Sequence, residues 1–165
     1  MSFPVDLTLW AFPEGIRLCR RPIDEVNNLR VSQQRWRDVT VSSGQMSFDD
    51  LKGDLLDLRV ELQSAGASAF GMLVRGQPLR YSVADQTLHL GDAAAPLRLP
   101  DGKLRLQILV DRSSVEVFAD RGQVTISAVT LGEIPESPVK FTAEGGKAQI
   151  GLLEANHLTS IWQLD

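Results

Sequence analysis

The stretch VDRSSVEVFAD, residues 110–120, concentrates chemistry: carboxylates at Asp111 and Glu116, hydroxyls at Ser113 and Ser114, and the guanidinium of Arg112 fall within a few positions. Paired carboxyls suggest glycoside hydrolysis, in which a retaining enzyme holds a nucleophile and an acid/base about 5–5.5 Å apart. The serines could act as nucleophiles only with a histidine beside them, and none is near in sequence. His89 and His157 lie far apart, and Cys19 is the single cysteine, so no recurring metal-ligand spacing exists. No glycine-rich phosphate loop follows a strand. The chain implies neither a metal nor a cofactor.

The elements around this stretch decide how it reads. In LRLQILVD, Leu104, Leu106, Ile108 and Val110 share one parity, while Arg105, Gln107 and Asp111 share the other, the period of a half-buried strand. A tight RSS connection then lets VEVFA run back, with Val115, Val117 and Ala119 on one face and Glu116 and Phe118 on the other. Asp111 and Glu116 can approach across such a hairpin. Yet Asp and Ser beside a turn commonly bond its amides, so the residues are expected to be structural and not catalytic.

Alternation recurs along the rest of the chain. Leu56, Leu58, Val60 and Leu62 oppose Asp57, Arg59 and Glu61 in LLDLRVEL. A helix through Leu51, Leu55, Leu58 and Leu62 also has the right spacing, but it would enclose Gly53 and strand Leu56 and Val60 on its polar side, so the strand is preferred. Turn signals at 12–15, 75–78, 100–102, 120–122 and 144–146 supply Pro or Gly where the chain must reverse. Many short strands at this spacing predict an all-β fold, a two-sheet antiparallel β-sandwich of jelly-roll or concanavalin-like type. One short helical turn is expected near 22–30, opened by Pro22 and favoured by Asp24 and Glu25 at its start. Residues 91–100 read as a loop crossing between strands.

Composition excludes several classes. At 165 residues the chain is long enough for one sandwich domain spanning 1–165, and its 17 basic residues, scattered within a net charge of −4, form no stripe for a phosphate backbone. Nucleic acid is excluded on that ground. The opening MSFPVDLTLWAF has no basic region and carries Asp6 inside its apolar run, so neither a signal peptide nor a membrane span is read there. Localisation and oligomeric state stay open. Cys19 is expected to be an ordinary buried thiol.

The segment LRLQILVDRSSVEVFADRGQ resembles the signature hairpin of the carboxy-terminal β-sandwich module of glycoside hydrolase family 32, the levanases, inulinases, invertases and related β-fructosidases. DLTLWAFPEGIRLCRRPIDEVNNLR resembles the family's first strands and following helical turn, KAQIGLLEANHLTSIW its last strands, and LRYSVADQTLHL the stretch before the hairpin. GDAAAPL replaces an Asp-Arg pair often found there. The resemblance makes Asp111, Arg112, Ser113, Ser114, Val115, Glu116, Val117 and Phe118 a structural signature. It also implies a partner, an N-terminal five-bladed β-propeller that carries the catalytic Asp, Asp and Glu motifs. None of those motifs occurs here: Arg37-Asp38 is followed by Val39 and not Pro, and Cys19 is preceded by Leu18 and not Glu. No catalytic residue carries over.

The function implied is therefore an accessory module of a β-fructofuranosidase, docked against its propeller and inactive alone. The alternative is a stand-alone, lectin-like module for fructan. Trp10 shares parity with Asp6 and Thr8, and Trp36 with Asp38 and Thr40, so both are expected to point outward, as propeller interface in preference to a sugar platform. Trp162, in parity with Leu158 and Leu164, is expected in the core.

Overall fold

The computed structural model describes residues 3–12, 15–48, 51–130 and 139–160; Trp162 lies outside them. The strands run in chain order as β1 (Val5–Phe12), β2 (Gly15–Pro22), β3 (Arg30–Val41), β4 (Gly44–Ser47), β5 (Leu56–Ala65), β6 (Ala69–Val74) and β7 (Gln77–Ser82). Then come β8 (Thr87–Leu90), β9 (Ala93–Pro96), β10 (Lys103–Val110), β11 (Ser114–Ala119), β12 (Val124–Val129), β13 (Val139–Glu144) and β14 (Lys147–Leu158). A 3₁₀ turn, Asp24–Leu29, separates β2 from β3.

Two six-stranded antiparallel sheets stack face to face, ordered β12-β11-β10-β5-β14-β3 and β4-β13-β6-β7-β8-β9. The expected sandwich is present. One core fills the space between them: Leu56, Leu58, Val60 and Leu62 from β5 meet Phe70 and Met72 from β6 and Phe141 from β13. This settles LLDLRVEL as a strand, because its alternating apolar residues all point into that core. The β1–β2 ribbon forms a separate two-stranded sheet on the flank.

Three local expectations change. Pro22 ends β2 opposite Val5 and does not open the helical turn, whose N-cap is Ile23; at the end of a ribbon its missing N–H costs no ladder bond. Within the supposed loop 91–100, Ala93–Pro96 forms the edge strand β9, paired to β8. Third, the outer side of the first sheet is not uniformly wet. A second apolar cluster of Val26, Leu109, Phe118 and Leu158, joined by Phe3, Val5 and Ile23, covers part of it.

A paired irregularity crosses β3 and β14. Gly151 is an extra residue of β14 against β5, where Ile150 pairs with Leu62 and Leu152 with Glu61, and Asp38 of β3 stands across from it between the pairs Val39–Ile150 and Arg37–Leu152. Asp38 takes φ 53°, a left-handed conformation that Asp tolerates better than most residues. Beyond this point the inward parity flips. Val41 and Val39 face the core on one side of it, Trp36 on the other.

Candidate functional site

The 104–119 hairpin forms as expected, with Val110 opposite Val115 and the Asp111 N–H donating to the Ser114 carbonyl at 2.9 Å. Val115 and Val117 are fully buried in the main core. Asp111 behaves as a turn acid: its Oδ1 accepts the Arg112 N–H at 2.7 Å, and its carbonyl accepts Arg75 Nη1 at 3.0 Å. Arg112 Nε donates to Asp54 Oδ2 at 2.9 Å and holds that carboxyl below the usual carboxylate range. The Ser113 carbonyl accepts the Thr130 N–H at 2.8 Å, while the Ser114 hydroxyl is buried and makes no hydrogen bond among the described residues.

Glu116 does something the sequence did not announce. The register sets it opposite Leu109, not Asp111, and it lies on the outer side with Phe118, each only 3% exposed. Its Oε1 accepts the backbone N–H of Phe3 at 2.9 Å. The Ile23 N–H meanwhile donates to the Pro4 carbonyl at 3.3 Å, so the segment entering β1 is tied to the sandwich at both points. The two hairpin acids thus serve different contacts and form no acid/base pair.

Beside Phe118, a polar network sits against the sheet. Asp57, fully buried on β5, accepts Arg30 Nε at 3.0 Å and Gln107 Nε2 at 3.0 Å, and Arg30 Nη2 also bonds it. Asn156, also fully buried, donates to the Asp57 carbonyl at 3.1 Å and accepts from Gln33 Nε2 at 2.9 Å. Asp57 was expected on a wet face. The 3₁₀ turn explains its burial: Arg59 Nη2 reaches Asn27 Oδ1 at 3.3 Å and helps seat the turn on this face.

Both tryptophans depart from their expected orientation. Trp36 turns inward onto the core, its ring 4.8 Å from that of Phe48, because β3 follows the bulge at Gly151 of β14 and its inward parity reverses at Asp38, on which the outward reading did not count. Trp10 lies on the ribbon face that turns toward the sandwich, shared with Cys19, which is fully buried as expected. The Arg121 guanidinium stands 5.2 Å from the Trp10 ring centroid, and Trp10 Nε1 is buried without a hydrogen bond among the described residues. The opposite ribbon face carries Leu7, Leu9, Ile16 and Leu18, which are 61%, 70%, 72% and 51% exposed. Register places Leu9 directly across from Leu18, and Ala11 across from Ile16, so these side chains form one contiguous apolar patch.

The ribbon is held at its β2 edge. Arg20 N–H donates to the Gly122 carbonyl at 2.9 Å, and Gly122, at φ 81°, comes so close that a Cβ there would lie 1.7 Å from the Arg20 carbonyl oxygen. Between ribbon, 3₁₀ turn and outer sheet face lies a cleft of about 580 Å³, lined by Arg21, Asp24, Arg59, Gln107, Phe118 and Arg121 among others. His89 lies on the outward side of β8, and His157 is engaged by Ser32 and the Lys52 carbonyl. Among the described residues no group of three His, Cys, Asp or Glu is arranged to hold a metal, and no helix is long and apolar enough to cross a membrane.

Fold and site together define an antiparallel sandwich module with a flanking ribbon, its two hairpin acids engaged in separate contacts. A profile for the C-terminal part of glycosyl hydrolases family 32 matches residues 25–157, and the chain belongs to that family. It is 26% identical to a levanase of Bacillus subtilis over 98% of its length and 27% of that protein, and 32% identical to an Escherichia coli raffinose invertase over 83% and 31%. The chain thus spans roughly a quarter to a third of these relatives. Among solved structures, an exo-inulinase from Aspergillus awamori superposes with a TM-score of 0.80 at 21% identity, covering 98% of this chain and 36% of the other. Fructan 1-exohydrolase IIa of Cichorium intybus gives 0.76 at 12%, covering 93% and 40%.

Proposed function

We propose that the chain is the accessory module of a β-fructofuranosidase of the levanase or inulinase type, and that it docks on a catalytic β-propeller through the outward face of the β1–β2 ribbon. The parent reaction is hydrolysis of β-fructofuranosyl linkages in fructan or sucrose, performed by carboxyls of the propeller.

The observation that carries this reading is the inverted ribbon. Its more polar face, with Thr8, Trp10 and Cys19, packs toward the sandwich, while Leu7, Leu9, Ile16 and Leu18 face outward. Covering a large aliphatic side chain is worth about 1.5–3 kcal/mol relative to exposure, so four of them make a substantial unfilled contact. The occupant is argued from the comparisons: the family profile begins just past the ribbon, and the relatives named above are about three to four times longer than this chain.

The test is made in the enzyme that carries the module. Leu9→Asp with Leu18→Asp should split a single calorimetric transition into two and lower the heat stability of levan hydrolysis. Retention of one transition at the original temperature would remove the ribbon from the interface. The separated module should release no fructose from levan or inulin, and release in proportion to its concentration would overturn the accessory role.

A further inference from the structure

The turn at 100–102, Pro-Asp-Gly, carries a chemistry that neither the fold nor the docking role uses. Asp101–Gly102 is the only step in the chain at which an Asp or Asn precedes glycine. An Asp side chain can react with its own main chain: the nitrogen of the following residue attacks Cγ, and a five-membered succinimide closes. A side chain on that following residue hinders closure, and glycine has none. Two further conditions are a carboxyl aimed forward along the chain and room for the ring and for water.

The turn meets both. Asp101 Oδ1 accepts the Lys103 N–H at 3.1 Å, which folds the carboxyl forward over the Gly102 peptide. The Asp101 side chain is 50% exposed, and a Cβ on Gly102 would meet no atom within 4 Å beyond its chain neighbours. The same turn also restrains the reaction. Arg105 Nη2 donates to Asp101 Oδ2 at 2.5 Å, and the Gly102 N–H donates to the Leu99 carbonyl at 3.0 Å. Arg105 first, and the Lys103 amide second, hold the carboxyl below the usual carboxylate range. It is thereby kept ionised, and a carboxylate resists attack because its oxygen leaves only after protonation, as water. Arg105 is steadied from its other side, where Nε lies 3.2 Å from Glu61 Oε2.

We propose that Asp101–Gly102 is a site of spontaneous isoaspartate formation and that Arg105 sets its rate. In the closing step the bond from Gly102 N to Cγ forms, the protonated carboxyl gives up its hydroxyl, and the amide proton departs with it as water. Water then adds to one of the two succinimide carbonyls. Opening at Cγ returns Asp101. Opening at the α-carbonyl breaks the original peptide bond and leaves the main chain running through Cβ and Cγ. One water is lost and one regained, so the product is an isomer of unchanged mass. Its carboxylate sits on Cα and the main chain is one atom longer, so Lys103 and Arg105 lose the acceptor they share where the chain enters β10.

The test is to age wild type, Arg105→Ala, Arg105→Lys and Asp101→Glu side by side at one pH, well below melting. Isoaspartate is counted by methyl transfer from a protein isoaspartate methyltransferase used as reagent. It is located in the tryptic peptide 99–103, which gains a second chromatographic peak of identical mass. Product should accumulate in that peptide ahead of every other Asp, and Arg105→Ala should speed it about fivefold, the scale of losing an exposed ion pair. Arg105→Lys, which keeps the charge, should fall between the two, and Asp101→Glu should form none, since closure there needs a six-membered ring. Arg105→Ala could also loosen the turn, so salt supplies a second readout. About 1 M salt, with a Debye length of about 3 Å, should speed the wild type and leave Arg105→Ala unchanged. Equal rates in wild type and Arg105→Ala overturn the proposal. So does equal acceleration of both by salt, product arising first at another Asp, or no product in either protein.

Discussion

Replacing Gly122 with alanine should unlatch the ribbon from the sandwich, and Cys19 gives a direct way to watch it happen. The new Cβ would lie 1.7 Å from the Arg20 carbonyl oxygen and 2.5 Å from its carbon, both backbone atoms with no side-chain torsion to relieve the clash. At φ 81° alanine adds a left-handed penalty of about 1–2 kcal/mol. If the ribbon retreats, the Arg20 to Gly122 hydrogen bond is lost as well, about 0.5–1.5 kcal/mol. Together these favour opening by about 2–3 kcal/mol, a factor of roughly 30–150 in the opening equilibrium. Cys19 is the single cysteine and is fully buried under the ribbon, so an aromatic disulfide reagent reaches it only through that opening. Burial, and secondarily Asp120, push its thiol above the ordinary range while Arg21 opposes them, so both proteins must be compared at one pH. Labelling should accelerate by roughly 30-fold or more in Gly122→Ala, with the sandwich melting nearly unchanged. A rate within about threefold of wild type would refute the latch and the close approach on which it rests.

Other perturbations probe the remaining structure. Asp57→Ala leaves the Arg30 guanidinium and the Gln107 amide without their buried acceptor; breaking such a pair costs about 3–5 kcal/mol, and with Arg30 21% exposed the lower end applies. In a domain of this size that is a fall of about 6–12 °C in melting temperature, and a fall under 3 °C would count against the network. Trp36→Ala should destabilise by about 3 kcal/mol by emptying the space against Phe48, read by urea denaturation, whereas an outward-facing ring would give almost no change. The Arg80 hydrogen bond holds the Glu144 carboxyl below its ordinary value, so the stability it adds is complete above pH about 4.3 and is lost as pH falls through the lower folded value. Both side chains are largely exposed, so screening keeps the effect under ~1 kcal/mol, and the small melting difference between wild type and Glu144→Gln at neutral pH should vanish in acid.

The strands were legible where alternation was unbroken and one face met the main core, as in 56–62 and 104–110. Trp36 was misread because parity assumes a regular ladder, and the one-residue bulge at Gly151 of β14, with Asp38 across from it, reverses everything beyond it. The IGLL run at 150–153 carried the corresponding signal on the partner strand, a glycine interrupting the alternation. Trp10 was misread for another reason. Sequence rules assign the apolar face to the interior, but on the ribbon that face is the exposed one, and the more polar face is the one covered. The cleft had no local signature at all, since Arg21, Asp24, Arg59, Gln107 and Arg121 meet only after five separate segments have folded. Glu116 looked like a turn-proximal acid because nothing in its own stretch indicates the Phe3 amide that it binds.

That contact has a mechanical consequence. With Phe3 fastened to Glu116 and Pro4 to Ile23, tension arriving at the amino-terminal end of the ribbon is carried into β11, one strand in from the edge of its sheet, and into the chain at the foot of the 3₁₀ turn. The load is split before it reaches β1. The ribbon is therefore shielded from being peeled open strand by strand, and the signature hairpin works as a strain relief, much as a cable is clamped short of its connector.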